Sequence, residues 1–303
     1  MHFQIVLIFP PISIFPAMYP VGLGYIAAIL KQNNYPVRIL DYSKVASSLD
    51  YSIREIVNIR PDFIGITVYT FAHNIVKRMI SEIRRLLPKA KIIIGGPQAS
   101  ALPKFSLEDM KADFAVVGEG ERVMLEIVKR VESNYNYFDD IKGLAFWRDG
   151  NPVFNPGCNL IEDLDNLPFP SWELMPPNKY NYAAVDVMPK RFPAAPISTS
   201  RGCPYECTFC GSHPIHGRGF RKRSAQNVAD EIEFLVSNYG VREINLLDEA
   251  FSEDRMHAIS ICEEMIKRKL DIVWRPLAGL RLDTLDDELL EIFKASGCYQ
   301  LGF

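Results

Sequence analysis

Three of the six cysteines fall at Cys203, Cys207 and Cys210, in the stretch Arg201-Gly202-Cys203-Pro204-Tyr205-Glu206-Cys207-Thr208-Phe209-Cys210. The spacing C-x3-C-x2-C suits neither one face of a helix nor one face of a strand, so the segment must be a loop that curls its thiols toward one point. Gly202 and Pro204 are residue types that let a loop bend in this way. Three thiolates match three of the four iron corners of a cubane iron-sulfur cluster and leave one iron open. Electron-transfer clusters are instead closed by four cysteines. Structural zinc also wants four ligands, commonly from paired C-x2-C units. A zinc knuckle completed by His213 or His216 stays open as the alternative, within a non-catalytic binding module. Unligated core thiols fit less well, since packing gives no reason to set three side by side.

The run Ser198 to Cys207, followed by Thr208-Phe209-Cys210, resembles the radical S-adenosylmethionine (SAM) enzymes, whose hallmark is C-x3-C-x-aromatic-C. The resemblance implies a 4Fe-4S cluster on Cys203, Cys207 and Cys210, with SAM chelated to the open iron and cleaved to a 5'-deoxyadenosyl radical. It places Phe209 near the SAM adenine and calls for an external one-electron reductant such as flavodoxin or ferredoxin.

Upstream, the apolar runs Gln4 to Phe9, Val37 to Leu40, Phe63 to Val68, Lys91 to Ile94 and Phe114 to Val117 alternate with helical patterns over Val21 to Leu30, Ile53 to Ile59, Ile75 to Leu87 and from Glu121. This predicts an α/β fold with a doubly wound parallel sheet and a binding crevice at the carboxyl ends of the strands. Those ends carry Pro10-Pro11-Ile12-Ser13, Thr67-Val68-Tyr69-Thr70, Gly95-Gly96-Pro97-Gln98 and Gly118-Glu119-Gly120-Glu121. Singly, such glycines also fit plain turns. The first turn lacks G-x-G-x-x-G, the nicotinamide fingerprint. Together, Pro-Asp-Phe-Ile-Gly-Ile-Thr (61 to 67), Gly-Gly-Pro-Gln-Ala-Ser (95 to 100) and Val-Gly-Glu-Gly-Glu (117 to 121) resemble the cobalamin-binding domain that precedes the radical SAM core in one large subfamily. That resemblance covers essentially the whole chain. It implies cobalamin held by Thr67, Tyr69, Gly95, Gly96, Pro97, Gln98, Gly118, Glu119 and Gly120. The sequence departs from the pattern in lacking D-x-H-x-x-G, so cobalamin would be bound without a histidine from that motif. Gln98 also stands where relatives often have histidine. His73, at the start of an amphipathic pattern, reads as a surface or capping residue.

Asp149-Gly150, flanked by Lys142 to Trp147 and Pro152 to Asn155, signals a hairpin. Pro168, Pro170, Pro176, Pro177, Pro189, Pro193 and Pro196 then mark an extended connector. Its Leu-Pro-Phe-Pro-Ser-Trp (167 to 172) resembles the subfamily linker. A second alternation follows: strand Ile197 to Ser200, helix Val228 to Tyr239, strand Glu243 to Leu247, helix His257 to Lys269, strand Ile272 to Trp274, helix Asp287 to Ala295 and a final strand Tyr299 to Phe303. This reads as the first part of a radical SAM partial (β/α) barrel, whose chemistry belongs at the strand ends. The expected domains are 1–140 (cobalamin-binding-like), 141–196 (hairpin and linker) and 197–303 (incomplete barrel). Asp248 and Glu249 end the second barrel strand, and the resemblance implies that they contact the SAM amino group. A solvated acidic helix start is the plainer reading. The basic run Arg218, Arg221, Lys222 and Arg223 reads as a solvated loop, with binding of a carboxylated or phosphorylated substrate as the alternative.

A net charge of -3 gives no electrostatic case for nucleic acid or an anionic membrane. Residues 5 to 30 carry no charge, but Pro10, Pro11, Pro16 and Pro20 interrupt them, so no membrane span and a cytoplasmic location are expected. Cys158, Cys262 and Cys298 form no disulfide framework. The reading is a cobalamin-dependent radical SAM enzyme of the methyltransferase type acting on a small-molecule or natural-product substrate. Oxidation, cyclisation and rearrangement stay open within the same subfamily. No cysteine precedes Cys158, whereas the methylthiotransferases carry three more near the N-terminus. The stretch after Pro196 is too short to close a barrel, which takes about 250 residues in its eight-unit form, so a fragment or half of a split enzyme, silent alone, is expected.

Overall fold

The computed structural model describes residues 3–12, 19–43, 48–179 and 189–303, so Ser13 of the first strand-end loop and Pro16 lie outside the described residues. The chain divides into two compact units, Met1–Ile161 and Glu162–Phe303.

The first unit runs β1 (Ile5–Phe9), α1 (Val21–Gln32), β2 (Val37–Asp41), α2 (Leu49–Ile59), β3 (Phe63–Thr67), α3 (His73–Leu86), β4 (Lys91–Gly95), α4 (Pro97–Ala101), α5 (Pro103–Met110), β5 (Phe114–Val116), α6 (Glu121–Glu132), β6 (Leu144–Arg148) and β7 (Asn151–Phe154). The sheet order is β2-β1-β3-β4-β5-β6-β7. The first five strands are parallel, and the last two pair antiparallel. Helices on both faces bury β1, β3 and β4, which is why these strands are unbroken apolar runs. Val6, Ile8, Ile64, Ile66, Ile92 and Ile94 form one core with the Val76, Met79, Ile80 and Ile83 stripe of α3. Each such side chain contributes roughly 1.5–3 kcal/mol by leaving water.

Helices α4 and α5 were not expected from the sequence. They span only five and eight residues, too short to show a period, and each opens on a proline that fits the first helical turn. The sheet also continues past the boundary expected at 140. Asp149 and Gly150 both adopt positive φ (49° and 77°), the conformation of a tight hairpin turn, and β6 joins the β5 edge.

The second unit runs β8 (Ala194–Ile197), β9 (Ser200–Arg201), α7 (His213–His216), β10 (Arg221–Lys222), α8 (Ala225–Tyr239), β11 (Glu243–Leu246), α9 (Arg255–Lys267), β12 (Val273–Pro276) and α10 (Asp287–Ala295). A parallel layer β12-β11-β8 carries the helices, and β9 with β10 makes an antiparallel clip. The three long helices start on Ser224, Asp254 and Asp286, whose side chains each accept a first-turn N–H. Trp274 packs edge-on against Phe251 and Phe293, with ring centroids 5.5 and 5.2 Å away. The connector is fastened by Trp172, whose Nε1 donates to Glu231 Oε1 at 2.9 Å, while Arg223 donates to Glu231 Oε2 at 2.5 Å. The strand expected at Tyr299 to Phe303 forms no ladder. The chain there touches β12 through a single bridge at Cys298 and a hydrogen bond from Tyr299 N to Trp274 O at 3.2 Å, while Gly302 O accepts from Leu280 N in the loop beyond β12 at 2.8 Å. Pro276 ends β12 without an N–H to offer. No helix among the described residues is long and apolar enough to cross a membrane.

Candidate functional site

β8 delivers the chain to the carboxyl end of the parallel layer, and the β9–β10 clip sends residues 202–219 out and back as one loop. Gly202 has φ 90°, and a Cβ there would lie 2.1 Å from Gly219 O, so only glycine lets the loop close over its own root. Cys210 N donates to Cys207 O at 3.0 Å, tightening the bend that bears the last two thiols. Cys203 is half-buried, and Cys207 and Cys210 are exposed. Burial pushes the Cys203 thiol up, against the downward pull of a hydrogen bond from the Tyr205 backbone, with Cys210, Glu249 and Cys207 adding to the rise. Among the described residues no three His, Cys, Asp or Glu side chains are placed to hold one metal ion. Cubane ligands bind separate irons and need not meet at one ion. Three soft thiols on one exposed loop fit such a cluster. Phe209 projects beside them, 91% exposed.

The paired carboxylates after β11 divide their work. Asp248 is only 2% exposed and faces inward, where Thr199 N lies 3.1 Å from each of its oxygens. The Thr199 and Ser200 hydroxyls donate to it at 2.7 and 2.5 Å. Burial pushes the Asp248 pKa up, against the downward pull of Ser200 and Thr199. Because the Thr199 proton is committed to Asp248, the His257 Nε2 at 3.1 Å must donate to Thr199 Oγ1. Burial lowers the His257 pKa to about 4. Glu249 instead clasps both ends of the cysteine loop, accepting from Gly202 N at 3.3 Å and Ser212 Oγ at 3.1 Å, with His216 Nε2 3.6 Å away. Thr199, Ser200, Ser212 and His257 were missed in the sequence. Hydroxyls crowding the end of an apolar strand, Ser198-Thr199-Ser200, were the available signal.

In the first unit the loops after β3, β4 and β5 are laced together. Val68 N donates to Gly95 O at 2.8 Å, Gln98 N to Val68 O at 3.0 Å, and Gly118 N to Ser100 Oγ at 3.1 Å. Gly96 has φ 88°, and a Cβ there would lie 3.1 Å from Thr67 Cγ2. Thr67, Tyr69, Gly95, Gly96, Pro97, Gly118 and Gly120 are half-buried, whereas Gln98 and Glu119 are buried. Tyr69 stacks on Phe71 at 5.3 Å, and burial pushes its phenol up. Glu119 is aimed elsewhere, since its Oε2 accepts from Ile161 N at 2.7 Å at the start of the connector. His73 pairs with Asp109 at 2.8 Å beside Lys77, a surface ion-pair role.

Residues 12–128 match the B12 binding domain family. An uncharacterized methyltransferase of Pyrococcus horikoshii is 31% identical over 287 residues, which cover 94% of this chain and 60% of that protein. The cytidylyl-2-hydroxyethylphosphonate methyltransferase of Streptomyces wedmorensis is 29% identical, with the same coverages of 94% and 60%. The anaerobic magnesium-protoporphyrin IX monomethyl ester cyclase of Rubrivivax gelatinosus is 31% identical over 92% of this chain and 50% of its own. The chain thus spans 60% or less of the length of these relatives. The radical SAM methyltransferase TsrM of Kitasatospora setae, solved with cobalamin and a 4Fe-4S cluster, superposes with a TM-score of 0.78 at 20% identity, covering 98% of this chain and 60% of its own. The cobalamin-dependent SAM radical enzyme OxsB, solved with aqua-cobalamin and SAM, gives 0.78 at 18% identity over 99% of this chain and 43% of its own. At such identities the likeness is one of fold.

Proposed function

The chain is a relative of the cobalamin-dependent radical SAM enzymes, with their B12 binding domain and their fold, and on that premise we propose that it supplies the cobalamin domain and the cluster-bearing part of such an enzyme. Cys203, Cys207 and Cys210 are the ligands of a 4Fe-4S cluster. When loaded, the cluster with SAM supplies a primary carbon radical and cobalamin supplies a methyl carrier. The chain's own residues orient and enclose these groups. Gly202 permits the closed loop, Glu249 holds its two ends, and Asp248 fixes the strand end through Thr199 and Ser200. Phe209 is free to pack against the adenine, and the half-exposed edge of Glu249 is available to the SAM ammonium. In the first unit, Gly95, Gly96, Gly118 and Gly120 let backbone approach cobalamin closely, beside Thr67, Tyr69, Pro97 and Gln98. Glu119 supports the connector instead. No histidine of a D-x-H-x-x-G motif is present to ligate the metal.

The reaction we propose is methyl transfer to a small molecule, with an external one-electron donor. The methyltransferase relatives motivate this choice, and ring closure, the reaction of a cyclase relative of equal identity, is the alternative. The observation that carries the reading is one loop that bears all three thiols, two exposed and one half-buried, and is locked by the Gly202 approach to Gly219. Anaerobic reconstitution with iron and sulfide tests it. Uptake near four irons per chain with broad visible absorbance supports the cluster, and one tightly held zinc in its place ends the proposal.

A further inference from the structure

The cysteine loop is fastened at its outer bend as well as at its root, and we propose that Arg281 is a positioning residue for the cluster, stacked on Tyr205 so that it holds the bend between Cys203 and Cys207 and keeps a positive charge beside the irons. The inference rests on the cluster reading above. The Arg281 guanidinium carbon lies 3.9 Å from the centre of the Tyr205 ring, well inside the roughly 6 Å at which a cation over an aromatic face is attracted. Tyr205 is two residues from each of Cys203 and Cys207, so pinning its ring pins the whole arc between two iron ligands.

Arg281 is itself held in place. Its Nε donates to Asp283 Oδ1 at 2.9 Å, and its carbonyl accepts from Thr284 N and Thr284 Oγ1 at 3.2 and 2.8 Å. Thr284 Oγ1 lies 2.5 Å from Ser252 Oγ, which ties the turn after β12 to the turn after β11. Tyr205 is therefore held by Arg281 from a turn that is itself hydrogen-bonded to the turn after β11. The Asp283 carboxylate beside the Arg281 guanidinium favours its charged form.

Removing Arg281 deletes one positive charge and leaves Asp283 uncompensated. Reduction adds an electron to the cluster, so this change must make reduction harder. The test is an EPR-monitored redox titration of the full chain, reconstituted with iron and sulfide and without SAM, alongside iron content. Arg281→Ala is expected to lower the one-electron reduction constant roughly tenfold, about 59 mV more negative. Arg281→Lys keeps the charge and should recover most of that shift. Arg255→Ala, which removes an exposed arginine paired with Asp286, should leave the potential unmoved. Should Arg281→Ala retain no cluster, Arg281→Gln carries the same reading. An unchanged potential in a neutral variant with full iron content overturns the role of Arg281 and leaves the cluster standing. A parent chain that takes up no iron overturns both.

Discussion

Replacing His257 by Gln should remove an acid-sensitive share of the stability of the second unit. The ring is 5% exposed, set edge-on to Phe220 and Phe251, and donates from Nε2 to Thr199. Burial brings its pKa from 6.5 to about 4 in the folded chain. The unfolded chain therefore binds a proton that the folded chain refuses. The associated stability is complete above about pH 6.5 and drains away as the pH falls toward 4. The whole loss amounts to about 3 kcal/mol, of which about 1.3 kcal/mol falls between pH 7.5 and 5.5. Asp248, raised by burial, works in the opposite direction, so only the difference between parent and His257→Gln isolates the histidine. Urea unfolding of the protein without added iron or cofactor reads it by selectively excited tryptophan fluorescence, in a Trp147→Phe background that leaves Trp172 and Trp274, both in the second unit, as the only tryptophans. With a slope of about 2 kcal/mol per molar, the parent midpoint should fall between the two pH values by about 0.6 M more than that of His257→Gln. Equal shifts in both proteins would refute the argument.

Alanine at any one of Cys203, Cys207 and Cys210 should abolish cluster assembly, whereas alanine at Cys158, Cys262 or Cys298 should leave iron uptake intact, as measured by iron content after reconstitution. Gly202→Ala forces a Cβ to 2.1 Å from Gly219 O, so the loop must open; we expect iron uptake to collapse and the unfolding free energy to drop by about 2 kcal/mol or more. Ser100→Ala removes the acceptor for Gly118 N and should cost about 1–2 kcal/mol of stability. The same change should weaken binding of cob(II)alamin, followed by optical titration, and unchanged affinity would count against the crevice beside Gly118.

The parallel strands were legible because burial on both faces leaves short apolar runs bounded by polar or turn residues, as in β3 and β4. The three cysteines stood out because the proposed ligation would fix residue type and spacing. The partners of Asp248 did not. Thr199 and Asp248 stand 49 residues apart and meet only when β11 lies beside β8. Glu119 illustrates a different limit, for its place between two glycines suggested a ligand, while the backbone it satisfies comes 42 residues later. Directions of side chains at strand ends depend on such distant arrivals. Local pattern does not encode them.

The β6–β7 hairpin bears on how the first unit reaches its fold. Parallel strands must be brought together across long stretches of chain, so such sheets form slowly and leave a bare edge meanwhile. The hairpin needs only its own residues and the Asp149-Gly150 turn, and hairpins of this kind close in about 1–10 microseconds. It is made directly after α6, before any of the second unit leaves the ribosome, and can wait preformed for β5 to seat. Once docked it replaces a naked parallel edge with β7, a short strand interrupted by Pro152, which has no N–H to recruit a stranger. Loosening the turn, for instance with Gly150→Val, should therefore be felt first as aggregation during synthesis.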